Sequence, residues 1–99
     1  MARTELLFGA GHVSDVQWKA FLAREVTPRF PDGLTVVDGY GQWKSPRGTI
    51  AKERSHVLLL WHAAGAEADT KIDAIRAAYK KRFHQFSVMR VDSTDCVSF

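Results

Sequence analysis

Residues 49–62 read TIAKERSHVLLLWH, and this stretch decides the fold. Alternation along a strand divides its second half between two faces of a sheet. One face carries Val57, Leu59 and Trp61, and the other carries His56, Leu58, Leu60 and His62. Both faces are apolar at their centre, which is typical of a central strand or of a sheet that a second subunit covers. The stretch therefore predicts a central strand and indicates a homodimer formed through the sheet face.

The preceding segment is predicted to pair with this strand. Residues 34–44 are also β-prone, and Ser45-Pro46-Arg47-Gly48 joins them to the strand at 49–62. Proline pre-sets one position of such a turn and glycine relaxes another. The two strands therefore read as a hairpin.

Two segments have the period of amphipathic helices. The first begins at Ser14, which forms a capping-box pair with Gln17, and it ends near Thr27 because Pro28 follows. Its apolar stripe is Trp18, Phe21, Leu22 and Val26. The second follows a loop of small residues at 63–68, with Thr70 and Asp73 as its capping pair. Its stripe is Ile72, Ile75, Tyr79 and Phe83.

The outer strands complete the fold prediction. A short strand at Glu5–Gly9 precedes the first helix, and Ser87–Val91 follows the second. A break at 92–95 separates this last strand from β-prone residues 96–99. The order βαββαβ predicts an α+β, ferredoxin-like fold with a four-stranded antiparallel sheet and two helices on one face. A chain of 99 residues fits a single domain, 1–99.

Composition excludes several functional classes. The net charge of +3 comes from 14 basic and 11 acidic residues that are interspersed, which gives little support to nucleic-acid binding. The single cysteine, Cys96, allows no disulfide within the chain. The apolar run Leu6–Phe8 is too short for a signal peptide or a membrane helix. We therefore expect a cytoplasmic protein with neither nucleic acid nor a membrane as partner.

Several separated motifs occur in an order that is similar to one bacterial family, domain of unknown function 3574. The resemblance runs from about Phe8 to the end of the chain. It implies no activity, cofactor or catalytic residue, because none is established for the family. The motifs are Thr27–Thr35, Gly41-Gln42-Trp43, Glu53-Arg54-Ser55, Tyr79–Phe83, Gln85–Val88 and Cys96–Phe99.

Glu53 and His56 are the predicted catalytic residues. Glu53 stands in the polar half of the strand that runs directly into its apolar half, so partial burial is expected to alter its proton affinity, as a general base requires. An ion pair of Glu53 with Arg54, Arg82 or Arg90 is the structural alternative. His56 would be a second polar group of the same pocket.

Four further residues are predicted to bind a ligand. Gln42 and Trp43 follow Gly39-Tyr40-Gly41, where missing side chains let a planar group approach the backbone. Tyr79 and Gln85 are the other two candidates. Each has a structural alternative, because a large aromatic such as Trp43 more often caps the core or fills a subunit interface, and Tyr79 lies on the buried stripe of its helix.

No cofactor or metal is predicted. The histidines at 12, 56, 62 and 84 match no zinc signature, and His56 and His62 lie about 20 Å apart along an extended strand.

Two functional classes stay open. One is a homodimer with a small-molecule pocket, as a binding protein or a cofactor-independent enzyme. The other is a non-catalytic interaction module that uses the free sheet face, which this reading places at His56, Leu58, Leu60 and His62.

Overall fold

Strand pairing determines the architecture of the computed structural model, which describes residues 1–99. The four strands are β1 (Ala2–Gly9), β2 (Thr35–Lys44), β3 (Ile50–His62) and β4 (Met89–Thr94). The helices are α1 (Asp15–Phe21), continued by a π-helical segment at Leu22–Val26, and α2 (Ala66–Phe83). The strands form one antiparallel sheet in the order β2-β3-β1-β4. The predicted ferredoxin-like fold and the central position of β3 are confirmed.

One face of the sheet packs against the helices and forms the core. Leu6 of β1 lies opposite Leu58 of β3, and both side chains are fully buried. The other core residues from these two strands are Thr4, Phe8, His56 and Leu60. Phe21, Ile72, Ile75 and Tyr79 cover them from the helices. The prediction that the His56, Leu58 and Leu60 face is free is therefore wrong, because the chain's own helices bury their apolar stripes on it.

The first helix begins as predicted and the second does not. The Gln17 amide donates to the Ser14 hydroxyl at 3.1 Å, and the Ser14 amide donates to the Gln17 side chain at 2.9 Å. Helix α2 starts at Ala66 rather than near Thr70, whose hydroxyl donates to the Ala66 carbonyl inside the helix at 2.9 Å. Alanine and glutamate favour helix, so residues 66–69 join it instead of forming a loop.

The last strand also differs from its prediction. It continues through Asp92, where a break was expected, and residues 95–99 form no strand. Asp92 accepts hydrogen bonds from Thr4 at 2.7 Å and from Arg90 at 2.9 Å. These contacts hold a residue of low strand propensity in the sheet.

The second sheet face lies away from the helices, and we call it the open face. Its apolar centre consists of Leu7, Val37, Val57, Leu59, Trp61, Met89 and Val91, which the strand register places on one side. Of these, Val37, Trp61, Met89 and Val91 are exposed. Strand β3 extends beyond β1, so its residues 50–54 have only β2 as a neighbouring strand. Neither helix of the fold is long and apolar enough to cross a membrane.

Candidate functional site

Glycine occupies three of the five positions in two neighbouring rows of the open face. In the first row Gly9 of β1, Ser55 of β3 and Gly39 of β2 lie opposite one another. In the second row Gly41 lies opposite Glu53, beyond the end of β1. Residues directly opposite in an antiparallel sheet share a face, so these five residues form one glycine-rich patch of the open face. We call it the glycine trough, defined by Gly9, Gly39, Gly41, Glu53 and Ser55.

The carboxylate of Glu53 lies against glycine backbone at one side of the trough. The Gly11 amide donates a hydrogen bond to Glu53 Oε2 at 3.2 Å. A Cβ atom at Gly9 would lie 2.7 Å from Glu53 Oε1, and one at Gly11 would lie 2.7 Å from Oε2. Any larger residue at either position would push the carboxylate away, so both glycines hold Glu53 in place by leaving room for it.

Glu53 has no cationic partner. Arg54 pairs instead with Asp15 at 3.2 Å, and Arg90 pairs with acids of α2 and β4. No ion pair of the chain includes Glu53. The ion-pair alternative for Glu53 with Arg54, Arg82 or Arg90 is thus wrong. The half-buried carboxylate is left with one backbone amide as its hydrogen-bond donor.

Tyr79 of α2 and Gln85 of the segment between α2 and β4 reach the same corner of the trough. The Tyr79 hydroxyl donates to the Gly9 carbonyl, and the Gln85 carboxamide lies 3.3 Å from the position that a Cβ of Gly9 would occupy. Burial raises the pKa of the Tyr79 hydroxyl well above its ordinary value, and the negative charge of Glu53 raises it further. Tyr79 is therefore a neutral donor at neutral pH that supports the floor beneath Glu53.

Apolar side chains border the trough on both sides. The row of Leu7, Val57 and Val37 lies on one side. Trp43, opposite Ala51, lies on the other side and is 54% exposed. The arrangement combines a bare backbone floor, one unpaired carboxylate, one serine hydroxyl and an exposed aromatic ring. Such a surface is suited to a small, flat molecule that carries a hydrogen-bond donor or a positive charge.

The structure does not bring His56 or Gln42 to this site. His56 lies on the helix-covered face at 3% exposure, stacked on Trp18 with ring centroids 4.3 Å apart. Its Nδ1 lies 2.8 Å from Asp38 Oδ1, and its Nε2 is buried without a partner. Gln42 lies opposite Lys52, on the same side of the strands as His56. Glu53, Trp43, Tyr79 and Gln85 are the predicted residues that gather at the trough.

Sequence reasoning missed Gly9 and Gly11 and considered Ser55 only as a nucleophile. A pattern was present, because Gly9-Ala10-Gly11 and Gly39-Tyr40-Gly41 both place glycines two residues apart. Alternate glycines in a strand leave one face bare.

Two cavities, of about 390 and 340 Å³, lie at the opposite end of the sheet around His62 and Gly65, and neither includes a residue of the trough.

The fold and the site define an α+β protein with a ferredoxin-like sheet whose open face carries a polar trough. A family model described as "Protein of unknown function (DUF3574)" matches residues 3–99. The chain belongs to this family, as the order of its motifs predicts. A search of curated proteins finds no match.

Two solved structures of similar fold are both phage SAM lyases. One is a complex with S-methyl-5'-thioadenosine, and its TM-score with this chain is 0.72 at 16% sequence identity. The alignment covers 93% of this chain and 79% of the lyase chain. The other is in the apo state, with a TM-score of 0.67 at 16% sequence identity. That alignment covers 93% of this chain and 78% of the lyase chain. At this identity the likeness shows a shared fold.

Proposed function

We propose that this protein binds a small molecule in the glycine trough. The observation that carries the proposal is the Glu53 carboxylate, which lies on glycine backbone at the trough's edge with no cation beside it. A half-buried carboxylate without a counter-ion loses hydration that a ligand donor or cation would replace. A solvent-exposed glutamate on a strand would not need Gly9 and Gly11 to leave room for its carboxylate.

The similar structures suggest which ligand to test first. A phage SAM lyase of the same fold is described in complex with S-methyl-5'-thioadenosine, which joins a flat ring to a polar sugar. A bare floor bordered by Trp43 and by apolar residues is compatible with a ligand of this shape. Fold similarity alone does not transfer an activity, so the ligand must be tested directly.

The proposed binding site would be completed by a second copy of the chain. The trough is shallow in one copy, and the apolar open face continues from it across all four strands. Four strands and seven residues along each give a face of roughly 20 by 23 Å, or on the order of 900 Å² in projection for two copies. Uneven side chains add to that area, which brings it near the roughly 1,200 Å² of a specific interface. A homodimer through the open face would close the trough into a pocket.

The binding proposal is tested by calorimetric titration of the purified protein with S-methyl-5'-thioadenosine and S-adenosylmethionine. We expect saturable binding by the wild type and a loss of at least tenfold in affinity for Glu53→Gln, which keeps the side-chain volume but removes the charge. Glu67→Gln, at an exposed acid of α2, is the matched control and should bind like the wild type. Equal affinity of both variants would contradict the proposal.

Oligomeric state and turnover are measured on the same samples. Native mass spectrometry should find a dimer, and Leu59→Arg should yield monomers, whereas Val16→Arg, on an exposed position of α1, should not. Incubation with each ligand followed by chromatography separates a cofactor-independent enzyme from a binding protein. A wild-type monomer that binds neither ligand would instead favour an interaction module that uses the open face for a different protein.

A further inference from the structure

The Ser55 hydroxyl is a polar group of the trough that has no structural task. Ser55 stands between Gly9 and Gly39 in the first row, and its side chain is half-buried. No hydrogen bond within the chain uses its hydroxyl, and that oxygen is not among the fully buried atoms without a partner. It is therefore reachable from outside and free to donate one hydrogen bond.

Gly39 leaves room for this hydroxyl, which lies against the place that a side chain at position 39 would take. A Cβ atom at position 39 would lie 2.7 Å from Ser55 Oγ and 4.0 Å from Val57 Cγ2. The backbone of Gly39 does not have the positive φ that would require glycine, in contrast to Gly33, Gly48 and Gly65. What position 39 requires is space next to the serine hydroxyl and not a particular backbone conformation.

The empty part of the trough has the dimensions of a flat ring. Glu53 and Gln85 fill the space above Gly9, whereas a Cβ at Gly41 would meet only the Glu53 carbonyl oxygen at 3.9 Å. Neighbouring strands are about 4.8 Å apart and successive residues on one face about 6.7 Å apart, so the bare floor beside Ser55 measures roughly 5 by 7 Å. Val37 and Trp43 border that floor, which favours an aromatic ring over a polar chain.

We infer that Ser55 is a specificity-determining residue of the trough, whose hydroxyl donates a hydrogen bond to an acceptor atom at the edge of a flat heteroaromatic ring lying over Gly39 and Gly41. This inference rests on the proposed function. It adds that the ring is the part of the ligand that is recognised and that Ser55 recognises it. Glu53, one row away, contacts the donor-bearing or cationic part of the same ligand.

The test is a calorimetric titration of Ser55→Ala, Gly39→Ala and Glu53→Gln with S-methyl-5'-thioadenosine. Thermal unfolding first establishes that each variant is folded. We expect Ser55→Ala to weaken binding about threefold to tenfold, the range of one neutral hydrogen bond. Gly39→Ala should weaken it at least as much, because its methyl group would stand 2.7 Å from Ser55 Oγ and would displace the hydroxyl that binds the ring. Ser98→Ala, in the exposed C-terminal residues, is the control and should bind like the wild type.

A ligand without the ring makes the test specific. For 5-methylthioribose, which keeps the sugar and the thioether, Ser55→Ala should bind no more weakly than the wild type. Wild-type affinity of Ser55→Ala and Gly39→Ala for the ring-bearing ligand, together with a loss in Glu53→Gln, would overturn this inference and leave the proposed function standing. Absence of binding by the wild type would overturn both.

Discussion

Glu53 Oε2 accepts a hydrogen bond from the Gly11 amide at 3.2 Å, across a sequence separation of 42 residues. This contact ties the end of β1 to the part of β3 that extends beyond it. It also orients the carboxylate over Gly9, whose carbonyl is held from the other side by the Tyr79 hydroxyl. The corner of the trough is thus one connected unit of two glycines, one acid and one tyrosine.

Substitution of Gly9 by alanine should displace Glu53 without unfolding the protein. The new methyl group would stand 2.7 Å from Glu53 Oε1, the mobile end of a flexible side chain, so the carboxylate moves and its bond to Gly11 is lost. We expect a loss of about 1 kcal/mol in the free energy of unfolding by urea. Gly41→Ala, whose methyl group would meet nothing closer than 3.9 Å, should cost less than Gly9→Ala, and the reverse order would contradict this account.

Tyr79→Phe should lower stability and change its dependence on alkaline pH. The variant keeps the ring but leaves the Gly9 carbonyl without its donor, at a cost of about 1–2 kcal/mol. Because the pKa of Tyr79 is raised in the folded state, only the unfolded chain loses this proton near pH 10. Tyr79 therefore reduces wild-type stability as the pH rises above about 10, by up to roughly 1.4 kcal/mol per pH unit.

The measurement for Tyr79 is urea unfolding at several pH values between 8 and 11. The difference in unfolding free energy between the wild type and Tyr79→Phe should shrink above pH 10, since the variant lacks that titration. Tyr40→Phe, at a side chain that is 71% exposed, is the control for stability at pH 8 and should match the wild type. A constant difference across the whole range would contradict the pKa assignment.

Thr4→Val should destabilise the junction of β1, β3 and β4. The fully buried Thr4 hydroxyl donates to Asp92 at 2.7 Å and lies 2.8 Å from His62 Nε2. Valine has the same shape but no hydroxyl, so both groups lose a partner, at a cost of about 1–3 kcal/mol measured by urea unfolding at pH 7. Thr70→Val, at an exposed position of α2, should cost less than 1 kcal/mol. A smaller cost at Thr4 than at Thr70 would show that this network is dispensable.

Asp92 should make stability sensitive to acid. Burial opposes its ionisation, but hydrogen bonds from Thr4 and Arg90 and the charges of Arg90 and His62 outweigh it and hold the pKa of Asp92 below its usual range. The stabilising effect is therefore present above the ordinary value near 4 and is lost as the pH falls through the lower folded value. Asp92→Asn should show a weaker loss of stability between pH 5 and pH 2 than the wild type, and an equal loss in both would exclude Asp92 as a cause.

His56→Phe should leave ligand binding at the trough unchanged. The histidine is stacked on Trp18 beneath the helices, and its unpartnered Nε2 costs free energy that a phenyl ring would not incur. Its bond to the exposed Asp38 side chain is replaced by water. We expect a change in unfolding free energy of less than about 1.5 kcal/mol and an unaltered affinity for S-methyl-5'-thioadenosine. Loss of binding in a folded variant would restore His56 as a site residue.

Local patterns in the sequence determined much of the fold. The capping box of Ser14 and Gln17, the helical stripes and the turn at 45–48 depend on residues close together in the chain, and all three occur where predicted. The apolar alternation of β3 determined its central position. These features could be read directly because helix and strand periods and turn chemistry are properties of short segments.

Only the tertiary structure decided which face of the sheet remained open and which residues met there. Alternation makes both faces of β3 apolar, so the choice between them depends on the packing of α1 and α2 over the whole sheet. The row of Gly9, Ser55 and Gly39 requires the register of three strands that lie far apart in the chain. Glu53 was a candidate from its neighbours in sequence. That it forms no ion pair could be seen only in the structure, where Arg54 pairs with Asp15 and Arg90 with Asp69. Such contacts between distant segments are selected by the packing and electrostatics of the complete fold, which no short segment contains.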